Sequence, residues 1–221
     1  MKTKTHKIVI ITLTVLFIVS SVTALFFMPD TVPLHWGANG NADRFGSKYS
    51  SLITALIALI ICIGILLSAK YGTKSEQNKK SNEKITYIAG ECVLTVLFAM
   101  NIYISFAMIN NVQNIYTLKF DIGKLTLLLF GALMVIMGNF MPKAKRNSYI
   151  GFRTPTTMSN DEIWKKSQRF AGICFVTGGF VNIICAIFFT GVPCIFILMA
   201  VIFIIVIAGL IYTAKLKKIE N

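Results

Sequence analysis

The sequence predicts an all-α, polytopic membrane protein with about six transmembrane helices and both termini in the cytoplasm. The first observation is composition, because 55% of the 221 residues are hydrophobic, only 14% are charged, and the mean hydropathy is +0.70. A single soluble core cannot bury that much apolar surface. The second observation is a set of six apolar runs, and the third is the distribution of positive charge between them.

The six apolar runs each approach the ~20 residues that cross a bilayer as a helix. They cover residues 8–28, 52–69, 85–109, 122–141, 170–190 and 192–213. The first run is too long, and too far from a small-residue cleavage site, for a removed signal peptide, so we expect it to be a span. We divide the chain into a transmembrane hairpin at 1–70, a flexible linker at 71–84 and a four-helix region at 85–221.

Positive charge alternates across these runs. With the N-terminus inside, 18 of the 22 Lys and Arg residues fall in cytoplasmic segments and 4 fall outside. This bias predicts that both termini are cytoplasmic. The net charge of +13 therefore indicates topology and contact with anionic lipids, and direct nucleic-acid binding is not expected.

The first outer loop, residues 29–50, carries signals of order. Val32, Leu34 and Trp36 alternate with polar or proline positions, which is typical of a short extended segment, and Pro33 confines it to an edge or an unpaired strand. Asn39-Gly40 is a strong turn signal because both residues tolerate positive φ. We expect an ordered extracellular cap whose polar turn does not bind metal.

The linker at 71–84 is rich in Lys, Ser, Asn and Gln and predicts a flexible segment. In the third span, Glu91 is the clearest intramembrane ionisable residue, and we expect it to snorkel or to pair with Lys84. Asn101 and Asn182 are expected to form hydrogen bonds between helices. All five cysteines fall within predicted spans without a C-x-x-C pair, which favours small core residues over a disulfide or metal framework.

The longest inner segment, residues 142–169, concentrates seven Lys and Arg residues beside two prolines and a tryptophan. A connection of this length is commonly functional. Gly151 permits a bend, and Pro155 forces an extended backbone at Thr154. Ser159 and Glu162 fit a capping box that predicts a helix start, with Ile163, Trp164 and Ser167 on one face and Gln168 on the polar remainder.

The three arginines of this segment, Arg146, Arg153 and Arg169, leave two roles open. A guanidinium is a rigid fork for carboxylates, phosphates or carbonyl groups. These residues either hold the loop's own fold or engage a partner, whereas the lysines are expected to contact lipid phosphates.

Two motifs resemble a known family. The run GN-x-M-P-K-x-x-R-N-x-x-I-G-x-R-T-P at 138–155, with the following Trp164 helix, resembles the SdpI immunity family of bacterial membrane proteins. P-D-x-V-P-x-H-W at 29–36 and G-N-A-D-R-F-G-S-K at 40–48 are similar to a small uncharacterised domain that often precedes that region. The candidate residues of the inner loop are Asn139, Pro142, Lys143, Arg146, Asn147, Gly151, Arg153, Thr154, Pro155, Trp164 and Arg169. Those of the outer loop are Pro29, Pro33, His35, Trp36, Gly40, Asp43 and Lys48.

The resemblance implies a multi-pass protein of the cell membrane that protects a producing bacterium from its own secreted toxin peptide. It also implies signalling, in which the toxin-bound protein holds a transcriptional repressor at the membrane. Two positions depart from the family pattern, because Thr156 replaces the usual Trp and Gln168 replaces a frequent His. The loss of both rings would remove a stacking surface for the cytoplasmic partner.

Two other functions compete with this one. A small-solute or proton-coupled transporter would need Glu91, and a membrane scaffold would need no ligand. The chain lacks H-E-x-x-H, G-x-S-x-G and phosphate-loop motifs, so we predict no enzymatic activity, no cofactor and no metal.

Overall fold

The structure, a computed structural model, describes residues 3–73 and 76–220. Within these ranges, six helices are long and apolar enough to cross a membrane, which confirms the predicted fold class. They are α1 (Thr3–Leu25), α2 (Leu52–Tyr71), α3 (Glu76–Ile109), α4 (Ile122–Phe140), α5 (Asp161–Phe188) and α6 (Val192–Glu220). The protein is therefore a multi-pass membrane protein. The orientation of its termini stays a prediction.

The helices pack as two groups of three. Ile10 and Phe17 of α1 pack with Ala58 of α2 and Leu94 of α3 in the first core. Leu127 and Met134 of α4 pack with α5 and α6 in the second core, which also contains Cys194. Most large apolar side chains on the outer faces remain exposed, as expected where lipid replaces protein.

Polar side chains join the helices within the membrane. Thr54 Oγ1 donates to Asn101 Oδ1 (2.9 Å), and Asn101 Nδ2 donates to Ser21 Oγ (3.1 Å), so one amide links α1, α2 and α3. Asn182 Nδ2 of α5 lies 3.3 Å from Met134 Sδ of α4. Both asparagines therefore make the predicted interhelical bonds.

Helices α4 and α5 touch through glycines. A Cβ at Gly131 would lie 2.8 Å from the carbonyl oxygen of Gly179, and a Cβ at Gly138 would lie 2.6 Å from that of Gly172. The two backbones therefore approach more closely than any side chain would allow. This contact positions the segment that connects the two helices.

The segment after α1 forms a hairpin of β1 (Thr31–Trp36) and β2 (Ala42–Ser47). The strands are antiparallel, and Pro33 stands opposite Phe45 with register irregularities on its C-terminal side. The predicted extended segment is confirmed, and Pro33 lies in a strand paired on one side only, as its missing N–H requires. A short 3-10 turn, Lys48–Ser51, leads into α2.

Two local predictions differ from the structure. Residues 76–84 of the predicted flexible linker form the first turns of α3, and Asn82 there is fully buried; residues 74 and 75 lie outside the described part. The cap of α5 is Asn160, whose Oδ1 accepts from Ile163 N at 2.8 Å, and the predicted Ser159 cap is wrong. The Ser159 hydroxyl instead donates to Thr156 O in the preceding turn.

Candidate partner-binding surfaces

The segment from Met141 to Asn160, which we call the inner loop, folds around Asn147. This side chain is buried, and its Oδ1 accepts from the backbone N–H groups of Tyr149 (2.9 Å) and Ile150 (2.8 Å). Its Nδ2 donates to the carbonyl groups of Lys145 and Ile150. Asn147 thus satisfies four backbone groups that no helix or sheet could satisfy, which is the role of an Asx turn.

Two further predicted residues hold the loop against α5. Trp164 is 2% exposed and donates from Nε1 to Ala144 O at 2.7 Å. Arg146 donates from Nη1 to Met158 O (3.0 Å) and Ser159 O (3.2 Å), and its Nε lies 2.8 Å from Asp161 Oδ1. Of the two roles left open for the arginines, Arg146 therefore takes the structural one.

Gln168 is a structural residue that the sequence reading misplaced. It was predicted on the polar face of the helix, but it is fully buried. Its Oε1 accepts from Phe152 N at 2.9 Å, and its Nε2 donates to Phe152 O at 2.8 Å. The side-chain amide therefore binds both backbone groups of one loop residue. Gly151 makes this possible, because its φ of +107° lets the chain pass directly over the amide. Gln168 therefore offers no stacking surface to a partner.

The start of α3 also holds the loop, which no sequence signal indicated. Asn82 Oδ1 accepts from Lys145 N at 2.9 Å, and its Nδ2 donates to Thr73 Oγ1. Tyr149 places its hydroxyl within hydrogen-bonding distance of Thr73 (3.2 Å) and Thr86 (3.1 Å). The loop is thus fastened to both groups of helices.

Other predicted residues of the inner loop, and of the helix ends beside it, face outward. Arg153 and Pro155 are exposed at the tip, where Thr154 and Thr157 exchange hydrogen bonds through their backbone N–H groups and hydroxyls. Asn139, Pro142, Lys143 and Arg169 are also exposed, and Lys143 Nζ lies 4.8 Å from the ring centroid of Phe140. Within residues 3–73 and 76–220, the side chains of Arg153 and Arg169 make no hydrogen bond or ion pair.

At the opposite end of the helices, the β-hairpin docks on the segment after α3. Trp36 is half-buried and donates from Nε1 to Val112 O at 2.9 Å. Ala42 N donates to Gln113 O at 2.7 Å, and Ile115 N donates to Gly40 O at 2.8 Å. Gly40 has a φ of +80°, as predicted for the turn, whereas Asn39 stays outside the left-handed region.

Tyr116 adds a further contact between the hairpin and the segment after α3. Its hydroxyl donates to Ala38 O at 3.1 Å, and burial raises the pKa of the phenol, with the nearby Asp121 carboxylate adding to the effect. The phenol therefore stays protonated at neutral pH and keeps its donor. Its ring also fills the space beside Gly40, where a Cβ would lie 2.4 Å from Tyr116 Cδ2.

The exposed surface of the hairpin carries paired charges. His35 Nδ1 lies 2.6 Å from Asp43 Oδ1, and both side chains are about half exposed. Lys48 Nζ lies 2.9 Å from Asp30 Oδ1. Pro29 is exposed between α1 and the hairpin, and Pro33 is buried. His35, Asp43 and Pro29 are accessible to a partner, whereas Trp36, Pro33 and Gly40 hold the hairpin in place.

The intramembrane Glu91 has a different partner from the one expected. Its Oε1 lies 2.8 Å from His6 Nδ1 of α1, and the predicted pairing with Lys84 is wrong. The His6 side chain is 6% exposed, and its Nε2 is buried without a hydrogen-bond partner among the described residues. His6 was missed because it lies 85 positions from Glu91 in a stretch that reads as a basic tail.

Comparisons with known proteins agree with the motifs. Residues 143–213 match the SdpI/YfhL protein family, and residues 11–67 match a domain of unknown function (DUF1648). Over 213 residues the chain is 26% identical to the immunity protein SdpI of Bacillus subtilis (strain 168), covering 96% of this chain and 93% of that protein. No solved structure matches the chain. The chain is therefore similar to the SdpI/YfhL protein family over residues 143–213 and to DUF1648 over residues 11–67.

Proposed function

We propose that this protein is an immunity protein that protects its host cell against a secreted toxin peptide. The observation that carries the proposal is the similarity to an immunity protein along almost the whole of both chains. It includes the inner loop motif and the hairpin motif together, so it is not a likeness of apolar helices alone. The proposed role is a binding role and needs no catalytic group.

The hairpin end is the proposed meeting place for the toxin. Four aromatic side chains, Phe26, Phe27, Phe45 and Tyr49, are between 46% and 83% exposed near the hairpin. Aromatic side chains supply large contact areas at low cost in conformational entropy, and they suit the interface between membrane and water. A membrane-active peptide would meet these rings together with the His35–Asp43 pair.

The tip of the inner loop is the proposed contact for a cytoplasmic repressor protein. Arg153 is exposed, yet its backbone neighbours are fixed by the Gln168 contact with Phe152 and by the Thr154–Thr157 turn. A guanidinium held on a rigid support can bind a carboxylate or a carbonyl with two parallel hydrogen bonds. We propose that toxin binding at the hairpin end changes how this tip binds the repressor.

Survival of a sensitive Gram-positive host tests the proposal. Cells that express the chain are challenged with secreted peptide from the native organism's culture, and we expect survival to rise at least tenfold. Phe45→Ser should reduce protection, whereas Phe120→Ser, which changes an exposed ring on the segment before α4, should not. Absence of protection by a well-expressed protein would exclude immunity as the main role.

A second assay separates signalling from protection. Arg153→Ala should leave protection intact and abolish the output of a repressor-controlled reporter. Lys165→Ala, which removes another exposed cation of the segment 142–169, should keep that output. An unchanged reporter output in the Arg153→Ala strain would remove the loop tip from signalling.

Proton-coupled transport is the alternative, and the His6–Glu91 pair favours it. Ionisable residues within transmembrane segments often mark proton pathways. The pair lies between α1 and α3 with one imidazole nitrogen unpartnered among the described residues. If the Glu91→Gln variant protects cells fully, proton-coupled transport is excluded. If that variant folds stably but no longer protects, proton-coupled transport is supported.

A further inference from the structure

A groove runs along the outside of α4 and α5, beside the inner loop. Its volume is about 670 Å³, and it opens toward the space where lipid would lie. Arg169 lines one end, and Ile173, Val176 and Phe180 line the wall above it. Arg169 and Phe180 lie eleven residues apart on one face of α5, which corresponds to about 16 Å along the helix axis. The groove is therefore long and mainly apolar, with the charge of Arg169 at one end.

The glycine contact between α4 and α5 creates this groove. A Cβ at Gly172 would lie 2.6 Å from Gly138 O and 3.1 Å from Cδ of the Pro142 ring. Because neither glycine carries a side chain, the floor between the helices stays open, and the Pro142 ring closes its lower end. No Asp or Glu lines the groove, so the charge at this site is positive.

Arg169 differs from the other guanidinium near α5. The Arg146 guanidinium donates to two carbonyl groups and to Asp161, whereas the Arg169 guanidinium makes no hydrogen bond or ion pair in the described part of the chain. Arg169 is also the last charged residue before an uncharged stretch that continues to residue 214. It therefore lies where the apolar part of the helix meets the headgroup region.

We propose that this groove binds one anionic phospholipid, with its phosphate on Arg169 and an acyl chain along Val176 and Phe180. A guanidinium pairs with phosphate through parallel hydrogen bonds, and the apolar wall offers a chain of this length a continuous contact. Asn139 at the rim is exposed and donates its Nδ2 to Val135 O, so its Oδ1 is available to accept from a headgroup hydroxyl.

The positive charge of the groove predicts which lipid headgroup it prefers. A glycerol headgroup supplies hydroxyl donors for Asn139 and leaves the lipid with one negative charge, which Arg169 balances. A choline headgroup would instead add a cation to a site that has no acidic side chain and would donate no hydrogen bond. Phosphatidylglycerol therefore fits the groove better than phosphatidylcholine, and this preference is independent of the proposed immunity function.

Native mass spectrometry of the purified full-length protein in detergent tests the site. The protein is titrated with phosphatidylglycerol and with phosphatidylcholine of the same acyl chains, and we expect one phosphatidylglycerol to bind at least about tenfold more tightly. Arg169→Ala should remove most of this preference, since it deletes a charge-assisted pair. Arg153→Ala, which removes an exposed arginine outside the groove, is the matched control and should bind like the unmodified protein.

A second variant separates the acyl contact from the charge. Val176→Trp fills the groove while keeping the guanidinium, so lipid affinity should fall although the charge is unchanged. Millimolar inorganic phosphate should not displace the lipid if the acyl chain contributes. Equal losses for Arg169→Ala and Arg153→Ala would overturn the proposal in favour of diffuse attraction, and ready displacement by phosphate would overturn the acyl part.

Discussion

The hairpin and the inner loop are both ordered segments at the ends of the helices, but different groups hold them. The hairpin is fastened mainly by backbone hydrogen bonds, both within β1 and β2 and to residues 113–115. The inner loop is fastened by side chains that reach backbone groups, chiefly Asn82, Asn147, Trp164 and Gln168. Many sequences can form a ladder of backbone bonds, whereas few side chains can replace a buried amide. Single substitutions should therefore damage the inner loop more than the hairpin.

The two tryptophans provide the largest test of this comparison. Trp164→Ala removes a fully buried ring and the donor to Ala144 O, so we expect it to lower the free energy of unfolding by about 3–5 kcal/mol. Trp36→Ala removes the same kind of bond from a half-buried ring and should cost clearly less. Thermal unfolding in detergent, followed by near-ultraviolet circular dichroism, measures both. Equal losses would show that the two ends depend equally on side chains.

Gln168→Leu tests the amide contact with Phe152 at nearly constant volume. It leaves one N–H and one carbonyl group without their partner, at about 1–3 kcal/mol for each group that stays buried. Loosening of the loop should speed trypsin cleavage after Arg153, which mass spectrometry detects. Gln113→Leu at the hairpin end changes an exposed amide with only local bonds and should leave that cleavage rate unchanged. An unchanged rate in Gln168→Leu would contradict the proposed clamp.

Gly40→Ala should produce an intermediate effect at the hairpin. The new Cβ would require a φ near +80° and would meet the Tyr116 ring, a combination that we expect to cost about 1–3 kcal/mol. Gly64→Ala is the matched control, because no atom lies within 4 Å of its added Cβ and alanine favours a helix by about 0.5–1 kcal/mol. The two variants should therefore shift the thermal midpoint in opposite directions. A shift of the same sign in both would mean that the turn relaxes without strain.

Asp43→Ala should produce the smallest effect. The pair with His35 is half exposed, and such pairs contribute about 0.2–1 kcal/mol. Asp121→Ala is the comparison, because that carboxylate caps α4 through Lys124 N and also accepts from Gly191 N, so its loss should cost about 1 kcal/mol or more. Thermal unfolding at matched salt measures both. A larger loss for Asp43→Ala would mean that the hairpin depends on its surface charges.

Local sequence patterns predicted much of this fold. The six spans follow from hydropathy over windows of ~20 residues, and the turn at Gly40 follows from the backbone freedom of glycine. Patterns that are equally local were less reliable at the start of α5, where Ser159 and Asn160 both suit a cap and only the path of the preceding turn selects Asn160. The prediction of a flexible linker at 71–84 was wrong for residues 76–84. Their polar composition is typical of a flexible segment, but it also suits a helix whose buried polar side chains bind a loop.

The candidate site was less predictable than the fold. The motif identified Arg146, Asn147, Arg153, Trp164 and Arg169 together, but it could not separate residues that build the loop from residues that face a partner. Arg146 and Arg169 have the same side chain, and they differ only because Asp161 and two carbonyl groups surround the first. Exposure and partner geometry decide that distinction.

The sequence by itself determined that this chain crosses the membrane six times and carries two ordered segments between its helices, because hydropathy, turn chemistry and loop length act over short stretches. Only the tertiary structure decided which polar side chains are buried. Gln168 and its neighbour Lys165 look alike as polar helix residues, yet Gln168 closes the loop because that face of α5 meets Phe152. Glu91 meets His6 across 85 positions for the same reason, since burial depends on which helix faces come together.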